Sequence, residues 1–355
     1  MDSLTDRDES NGLILTSDER RIYMKRLCCR ILILLTALFL TGCSSLKVLD
    51  PKGTVAKLQL NLFHISMAIM LLVFLVVFSM FVYFTWKYRE TPERRHVIPS
   101  YVKGNKKLEV SWTVIPILLL VVLAVPTVKG TFSLAQSDEN SQNPLEIEVT
   151  GHQYWWEVHY PDQGITLTNE AYIPVDQPVV FHLTSADVIH SFWMPRLGGK
   201  KDLIPGKKNT LTLNATNRGD YKGQCAELCG ASHSYMRFQV HALGDQEFNQ
   251  WIKKETTKEA PGQLTPTAEK GKKLFISKCL TCHAISPAER SKGPNLSGFS
   301  DKERIGNVLM NTDENRKKWI RDPSSIKPDV NMPPFPDLTE EDLNALSKYL
   351  SQLEK

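Results

Sequence analysis

Two long apolar stretches constrain what this chain can fold into more than any other feature. Residues 61–86, "NLFHISMAIMLLVFLVVFSMFVYFTW", and residues 110–128, "VSWTVIPILLLVVLAVPTV", are each near the roughly 20 residues that a bilayer-spanning helix needs. The segment between them carries Lys87, Arg89, Arg94, Arg95, Lys103, Lys106 and Lys107 against three Glu. By the positive-inside rule this segment lies in the cytoplasm, so both ends of the hairpin emerge on the opposite side. Everything after about residue 130 is therefore expected to be extracytoplasmic.

The N-terminus agrees with that topology. Arg20, Arg21, Lys25, Arg26 and Arg30 precede the run "ILILLTALFL", which is followed by "TGCSS". A basic region, a short apolar run and a small-residue site describe an export signal, and the run is too short to span a bilayer about 30 Å thick. Leu40-Thr41-Gly42-Cys43 also resembles a bacterial lipobox, in which Cys43 is lipidated and becomes the mature N-terminus. An uncleaved anchor is the rival reading. Translation from Met24 gives a signal of ordinary length, with Cys28 and Cys29 leaving with it.

At 355 residues the chain is expected to hold two or three units. A net charge of +4 does not suggest a nucleic-acid partner. The seven cysteines fall in groups, Cys28 with Cys29, Cys43 alone, Cys225 with Cys229, and Cys279 with Cys282, which is not the pattern of a disulfide framework.

From 145 to about 250 the sequence changes to short alternating runs, "LEIEVTGHQYWWEVHY", "QPVVFHLTSADVIHSFW", "KNTLTLNAT" and "MRFQVHAL". Their β-branched and aromatic residues, with Pro, Gly and Asn between them, predict a small β-sandwich or barrel. Between the last two runs lies "GQCAELCGASHSYM", which places Cys225, Glu227, Cys229, His233 and Met236 on one loop. These are soft and borderline metal ligands. His190, on "DVIHSFWMP", is the distant partner. Two thiolates can bridge two copper ions, with His190 and His233 each terminating one, and with Met236 and the Glu227 carbonyl as weak axial ligands. Bridging sulfur spreads one unpaired electron over both metals, so reduction changes the geometry little, which suits electron transfer. Zinc, for which two Cys and two His are also a ligand set, and a bare disulfide are the rivals.

"KKETTKEAPGQLTP", residues 253–266, is charged, lacks periodicity and reads as a linker. Cys279, Cys282 and His283 then form C-x-x-C-H, the covalent haem c attachment pattern. A helical pattern opened by Thr267 precedes it, and "KGPNL" and "NMPPF" follow. Met332 is the expected sixth iron ligand, its thioether favouring Fe(II); Met310 is the rival and is expected in the core. "LTEEDLNALSKYLSQL" supplies a closing helix, with Thr339 as cap and Asp342 in a capping-box-like position. The region resembles a small all-α class I cytochrome c.

The strings "GHQYWWE", "DVIHSFWMPRLGGKKDLIPG", "YKGQCAELCGASHSYM" and "LEVSWTVIPILLL" resemble subunit II of haem-copper cytochrome c oxidases, here of the caa type with a fused cytochrome. The resemblance implies a cupredoxin-like domain holding the binuclear copper centre CuA. It further implies that the Glu227 carboxylate touches a magnesium ion shared with the catalytic subunit, and that Glu109 marks the mouth of a proton pathway. The family commonly has Trp directly after "GHQ", where cytochrome c delivers electrons; this chain has Tyr154, followed by Trp155 and Trp156, an aromatic cluster whose readings are core packing and an electron relay. A different electron route is therefore expected, through the tethered haem.

The expected architecture is a signal over 1–42, a membrane-anchored hairpin domain over 43–135 with helices at about 61–86 and 110–130, a cupredoxin-like domain over 136–252, a linker over 253–266 and a cytochrome c domain over 267–355. The expected function is that of a proton-translocating terminal oxidase's subunit II in a bacterial cell membrane. Electrons pass from an external donor, a soluble or membrane cytochrome c or a cytochrome bc complex, through haem c and CuA to subunit I, which reduces O2 among further oxidase subunits. The electron-accepting subunit of a copper-containing nitric oxide reductase, and a copper carrier or assembly factor, are the alternatives. The covalent haem argues against the carrier, and Glu109 favours the oxidase.

Overall fold

The computed structural model describes residues 47–92, 95, 98, 101–139, 144–257 and 263–353, with residues 26, 30, 31 and 33 besides. Met24, Cys28, Cys29, Cys43, Arg94 and most of the export segment lie outside the described residues.

Helix α1 (Thr54–Lys87) and helix α2 (Lys106–Glu139) form the hairpin. At 34 residues each they measure about 50 Å, longer than the apolar runs alone predict, so their ends project beyond a bilayer core. Both are apolar all round, and residues such as Met70, Phe74, Phe81, Leu120 and Val125 are exposed. A helix without a polar face that is not buried in its own chain is one suited to lipid or to a partner's helices. Glu109 sits in the first turn of α2, where a carboxylate faces the positive end of the helix dipole.

The start of α1 is stitched to the domain that follows the hairpin. The Thr54 backbone N–H and hydroxyl both donate to Asn214 Oδ1, at 3.1 and 2.7 Å. Lys52 N–H donates to the Arg196 carbonyl at 2.6 Å, and Thr216 N–H donates back to the Lys52 carbonyl at 2.7 Å. Arg196 closes the joint on the Asp50 carboxylate at 2.6 Å. Orientation of the external domain relative to the helix axis is thus held by paired backbone groups and not by a loose tether.

The strands run in chain order as β1 (Leu145–His152), β2 (Trp155–Tyr160), β3 (Ile165–Thr168), β4 (Glu170–Pro174) and β5 (Val179–Ser185). They continue with β6 (His190–Trp193), β7 (Lys200–Leu203), β8 (Asn209–Leu213), β9 (Gly219–Cys225) and β10 (Arg237–Leu243). One sheet is ordered β3-β2-β1-β5-β8 and the other β4-β10-β9-β6-β7. Along β1 burial alternates, with Leu145, Ile147 and Val149 inside, as a strand with one buried face requires. Between the sheets Phe192 stacks on Phe238 at 4.2 Å, and both meet the Trp156 edge within 5.4 Å. Trp156 is fully buried; truncating such an aromatic costs about 3–5 kcal/mol. It is part of the core that shapes the site.

Helix α3 (Asp245–Thr256) extends into the segment read as a linker. The cytochrome-like unit is helical, with α4 (Pro266–Lys278), α5 (Asp313–Arg321) and α6 (Glu340–Leu350). The first of these opens two residues earlier than the sequence suggests: Thr265, not Thr267, caps it by accepting from Ala268 N–H, with Pro266 in the first turn. α4 crosses α6 at Gly271, where a Cβ would stand 2.0 Å from the Ala345 carbonyl oxygen. Phe275 and Tyr349 pack beside that crossing at 5.4 Å. Thr339 caps α6 as expected, accepting from Asp342 N–H. Met310 does not enter the core. It lies on β12 (Leu309–Met310), paired with β11 (Arg304–Ile305), and this short ladder buries Ile305 while turning Met310 outward to 45 % exposure.

Candidate metal centre and haem site

Strand β9 ends on Cys225, and the chain returns through a loop and a short 3₁₀ turn, His233–Tyr235, to Met236 at the start of β10. Cys225 N–H donates to the Met236 carbonyl at 2.9 Å, and Ala226 N–H donates to the Ser191 carbonyl at 3.0 Å. These bonds pin both ends of the loop beside His190 on β6. At the turn, Gly230 has φ +131°, and a Cβ there would lie 2.3 Å from the Tyr154 hydroxyl; only glycine meets both conditions.

The structure brings the six expected donors together. Cys225 Sγ lies 4.0 Å from His190 Nδ1, 3.9 Å from Cys229 Sγ and 3.2 Å from the Glu227 carbonyl. Cys229 Sγ lies 3.6 Å from His233 Nδ1 and 3.8 Å from Met236 Sδ. His190, both cysteines and Met236 are buried, and His233 is half-buried. The sulfurs are far beyond the ~2.05 Å of a disulfide. Each sulfur has its own imidazole and its own weak donor, so the set divides into two halves that share the thiols. That division fits two copper ions better than one tetrahedral zinc.

Asp187 completes the site and was not singled out from the sequence, although its spacing of three before His190 is the available signal. Its Oδ1 lies 2.7 Å from His190 Nε2, leaving Nδ1 to face the sulfurs. Burial opposes charge on His190, but the bonds to Asp187 and Cys225 outweigh it and raise the imidazole pKa. Burial likewise acts to raise Asp187, and the His190 bond with the Gln153 and Val188 N–H groups brings it below the usual carboxylate range. Gln153 also donates from Nε2 to the Cys229 carbonyl at 2.6 Å. The paired thiols share a proton: the bond from Cys229 holds Cys225 far below the usual thiol range and pushes Cys229 above it.

Glu227 is exposed and only its main-chain oxygen joins the cluster; Leu228 beside it is 79 % exposed. Trp155 stacks on His152 at 4.1 Å. Tyr154 is buried.

In the cytochrome-like unit Cys279 is half-buried, Cys282 is exposed and neither is in a disulfide. His283 Nδ1 lies 2.8 Å from the Pro294 carbonyl. A carbonyl only accepts, so Nδ1 carries the proton and Nε2 is left as the ligating atom. Burial lowers the His283 pKa, and the bond to Pro294 opposes it only in part. A cleft of about 830 Å³ is lined by Leu280, His283 and Ile285 of the cytochrome-like unit and by His152 and Glu157 of the sandwich. Met332 does not line it and sits half-buried on the loop before Phe335.

The two external units meet along two seams. Over the copper loop, Ser232 Oγ donates to the Pro328 carbonyl at 2.6 Å, and Asn307 Nδ2 donates to the Tyr235 and Arg237 carbonyls at 3.1 and 2.8 Å. Lys327 Nζ donates to the Tyr154 carbonyl at 2.9 Å and to the Gly306 carbonyl at 3.0 Å. Along the edge strand β3, Thr166 N–H donates to the Pro287 carbonyl at 2.7 Å, while Arg290 pairs with Glu157 at 2.5 Å and Glu148 at 3.3 Å. An exposed sheet edge is thereby covered.

Comparison with known proteins agrees with this architecture. The transmembrane-domain model of cytochrome c oxidase subunit II matches residues 44–129, its periplasmic-domain model matches 163–243, and the cytochrome c model matches 268–354. Cytochrome c oxidase subunit 2 of Alkalihalophilus pseudofirmus is 44 % identical over 323 residues, covering 89 % of this chain and 94 % of that one. The subunit 2 of a Bacillus species, strain PS3, is 42 % identical over 336 residues with the same two coverages, 89 % and 94 %. Quinol oxidase subunit 2 of Bacillus spizizenii is 40 % identical over 237 residues, covering 65 % of this chain and 73 % of its own. The chain belongs to the cytochrome c oxidase subunit II family. It is a membrane-anchored subunit of an oxidoreductase complex with an extracytoplasmic domain, and its cofactors are a binuclear copper centre and a haem.

Proposed function

We propose that the chain passes electrons from an external cytochrome donor, through haem c and then the copper centre, to subunit I of a haem-copper oxidase in a bacterial cell membrane, where O2 is reduced to water. When bound, the two groups supply outer-sphere electron transfer; the side chains described here hold, orient and shield them. His190, Cys225, Glu227 through its carbonyl, Cys229, His233 and Met236 are the copper ligands in this reading, with Asp187 fixing the His190 tautomer. Cys279 and Cys282 carry the haem thioether bonds, and His283 and Met332 are the axial pair.

The observation that carries the reading is the seam over the copper loop, because it sets Asn307 and Pro328 of the cytochrome unit against Ser232, Tyr235 and Arg237 of that loop. A non-catalytic copper carrier has no use for a fixed redox partner at that position. The exposed pair Glu227 and Leu228 supports docking of the catalytic subunit there, with the Glu227 carboxylate reaching a shared magnesium ion. Glu109, in the first turn of α2 at the basic end of the hairpin, is read as the proton-pathway mouth. Cys43 is read as the lipidated N-terminus, and mass spectrometry showing an intact chain upstream of it contradicts that reading. The purified complex, assayed for O2 and NO consumption with reduced cytochrome c, tests the acceptor: O2 turnover with negligible NO turnover is expected, and the reverse assigns the chain to a nitric oxide reductase.

A further inference from the structure

Tyr154, in the string "GHQYWWE", is only 2 % exposed. What covers it comes partly from the chain's own cytochrome unit. Lys327 is 3 % exposed, and its ammonium group bridges a carbonyl of each unit, Tyr154 on the sandwich and Gly306 on the cytochrome side. A buried ammonium is costly unless hydrogen-bonded, so this arrangement holds only while both carbonyls are in place. Pro328 follows directly and accepts from Ser232, the residue before His233. Its ring fixes φ and removes a backbone donor, which stiffens the step between the two contacts. Five residues beyond Lys327 stands Met332. Burial lowers the Lys327 pKa to about 8, partly countered by the Cys229 thiol nearby. The cationic side chain therefore sits within electrostatic reach of the copper cluster.

We infer that Lys327 is the positioning residue that seats the cytochrome unit on the copper loop, closing the Tyr154 face to soluble donors. The inference rests on the electron route proposed above. It differs from tethering alone, because a tether raises local concentration without fixing an orientation. Asn307 acts beside Lys327: its amide holds the carbonyls of Tyr235 and Arg237.

Two variants of the full chain in its purified complex test the seat. Lys327→Met removes the bridge. Asn307→Gly removes the two amide bonds at a residue whose φ is +66°, a conformation glycine adopts freely, so folding is retained. After rapid reduction of haem c by a soluble donor, each variant is expected to slow the following copper reduction about tenfold, the scale of a lost charge-assisted hydrogen bond or of two neutral ones. Haem reduction itself and both absorption spectra stay unchanged, while amide exchange over residues 231–237 rises. Copper reduction at the unmutated rate in both variants, or unchanged exchange over the loop, overturns the inference. If copper in the unmutated chain is reduced ahead of haem c, the electron route fails, and loop exchange alone then decides the seat.

Discussion

His190 holds Asp187 and Cys225 on opposite sides of one ring: Nε2 lies 2.7 Å from the carboxylate, and Nδ1 lies 4.0 Å from the sulfur. The carboxylate fixes which nitrogen is free to bind and raises its basicity. Asp187→Asn preserves the shape but can present its amide to Nε2 and reverse the tautomer. Copper affinity should fall about 10- to 100-fold, as read by copper retained against a graded chelator series. Retention equal to that of the unmutated chain contradicts the role given to Asp187.

Cys225 and Cys229 stand 3.9 Å apart, and each has its own imidazole. The purified chain should therefore bind two coppers and show a delocalised mixed-valence EPR signal, and Cys225→Ser or Cys229→Ser should each abolish it. A single-copper spectrum from the unmutated chain refutes the shared-thiol arrangement.

Much of the site was legible because its chemistry is local. Cys225, Cys229, His233 and Met236 fall within one loop, and Cys279, Cys282 and His283 fall within five residues, so residue type and spacing alone point to metal chemistry. The alternation along β1 and the apolar runs of α1 and α2 were equally direct. What was not legible depends on distant packing. Lys327 is one of many lysines, and its burial exists only because two units meet. α3 extends into a charged string, since its Phe248 and Trp251 pack against the sandwich core and outweigh the weak helical pattern. Met310 is outside because a two-residue ladder sets which face each side chain takes.

Lys327 makes stability depend on pH in a defined direction. Its folded pKa is about 8, below the ordinary 10.5, so between those values the unfolded chain binds the proton more strongly. Stability should therefore rise with pH across this window, by up to about 3 kcal/mol. Lys327→Met lacks the group, so the melting temperature of the unmutated chain relative to this variant should climb from pH 8 upward. A constant difference between the two chains contradicts a buried ammonium.

The central claim is the order of electron flow, and stopped-flow reduction of the intact complex by a soluble cytochrome donor tests it most directly, with haem c and copper followed at separate wavelengths. Haem c should be reduced first and copper after it. Met332→His removes the thioether that favours Fe(II), so it should lower the haem potential and slow copper reduction. Tyr154→Phe keeps the carbonyl that Lys327 binds and should slow it much less. Copper reduced before haem c in the unmutated complex, or Tyr154→Phe slowing copper more than Met332→His, would contradict the route through the seated cytochrome unit.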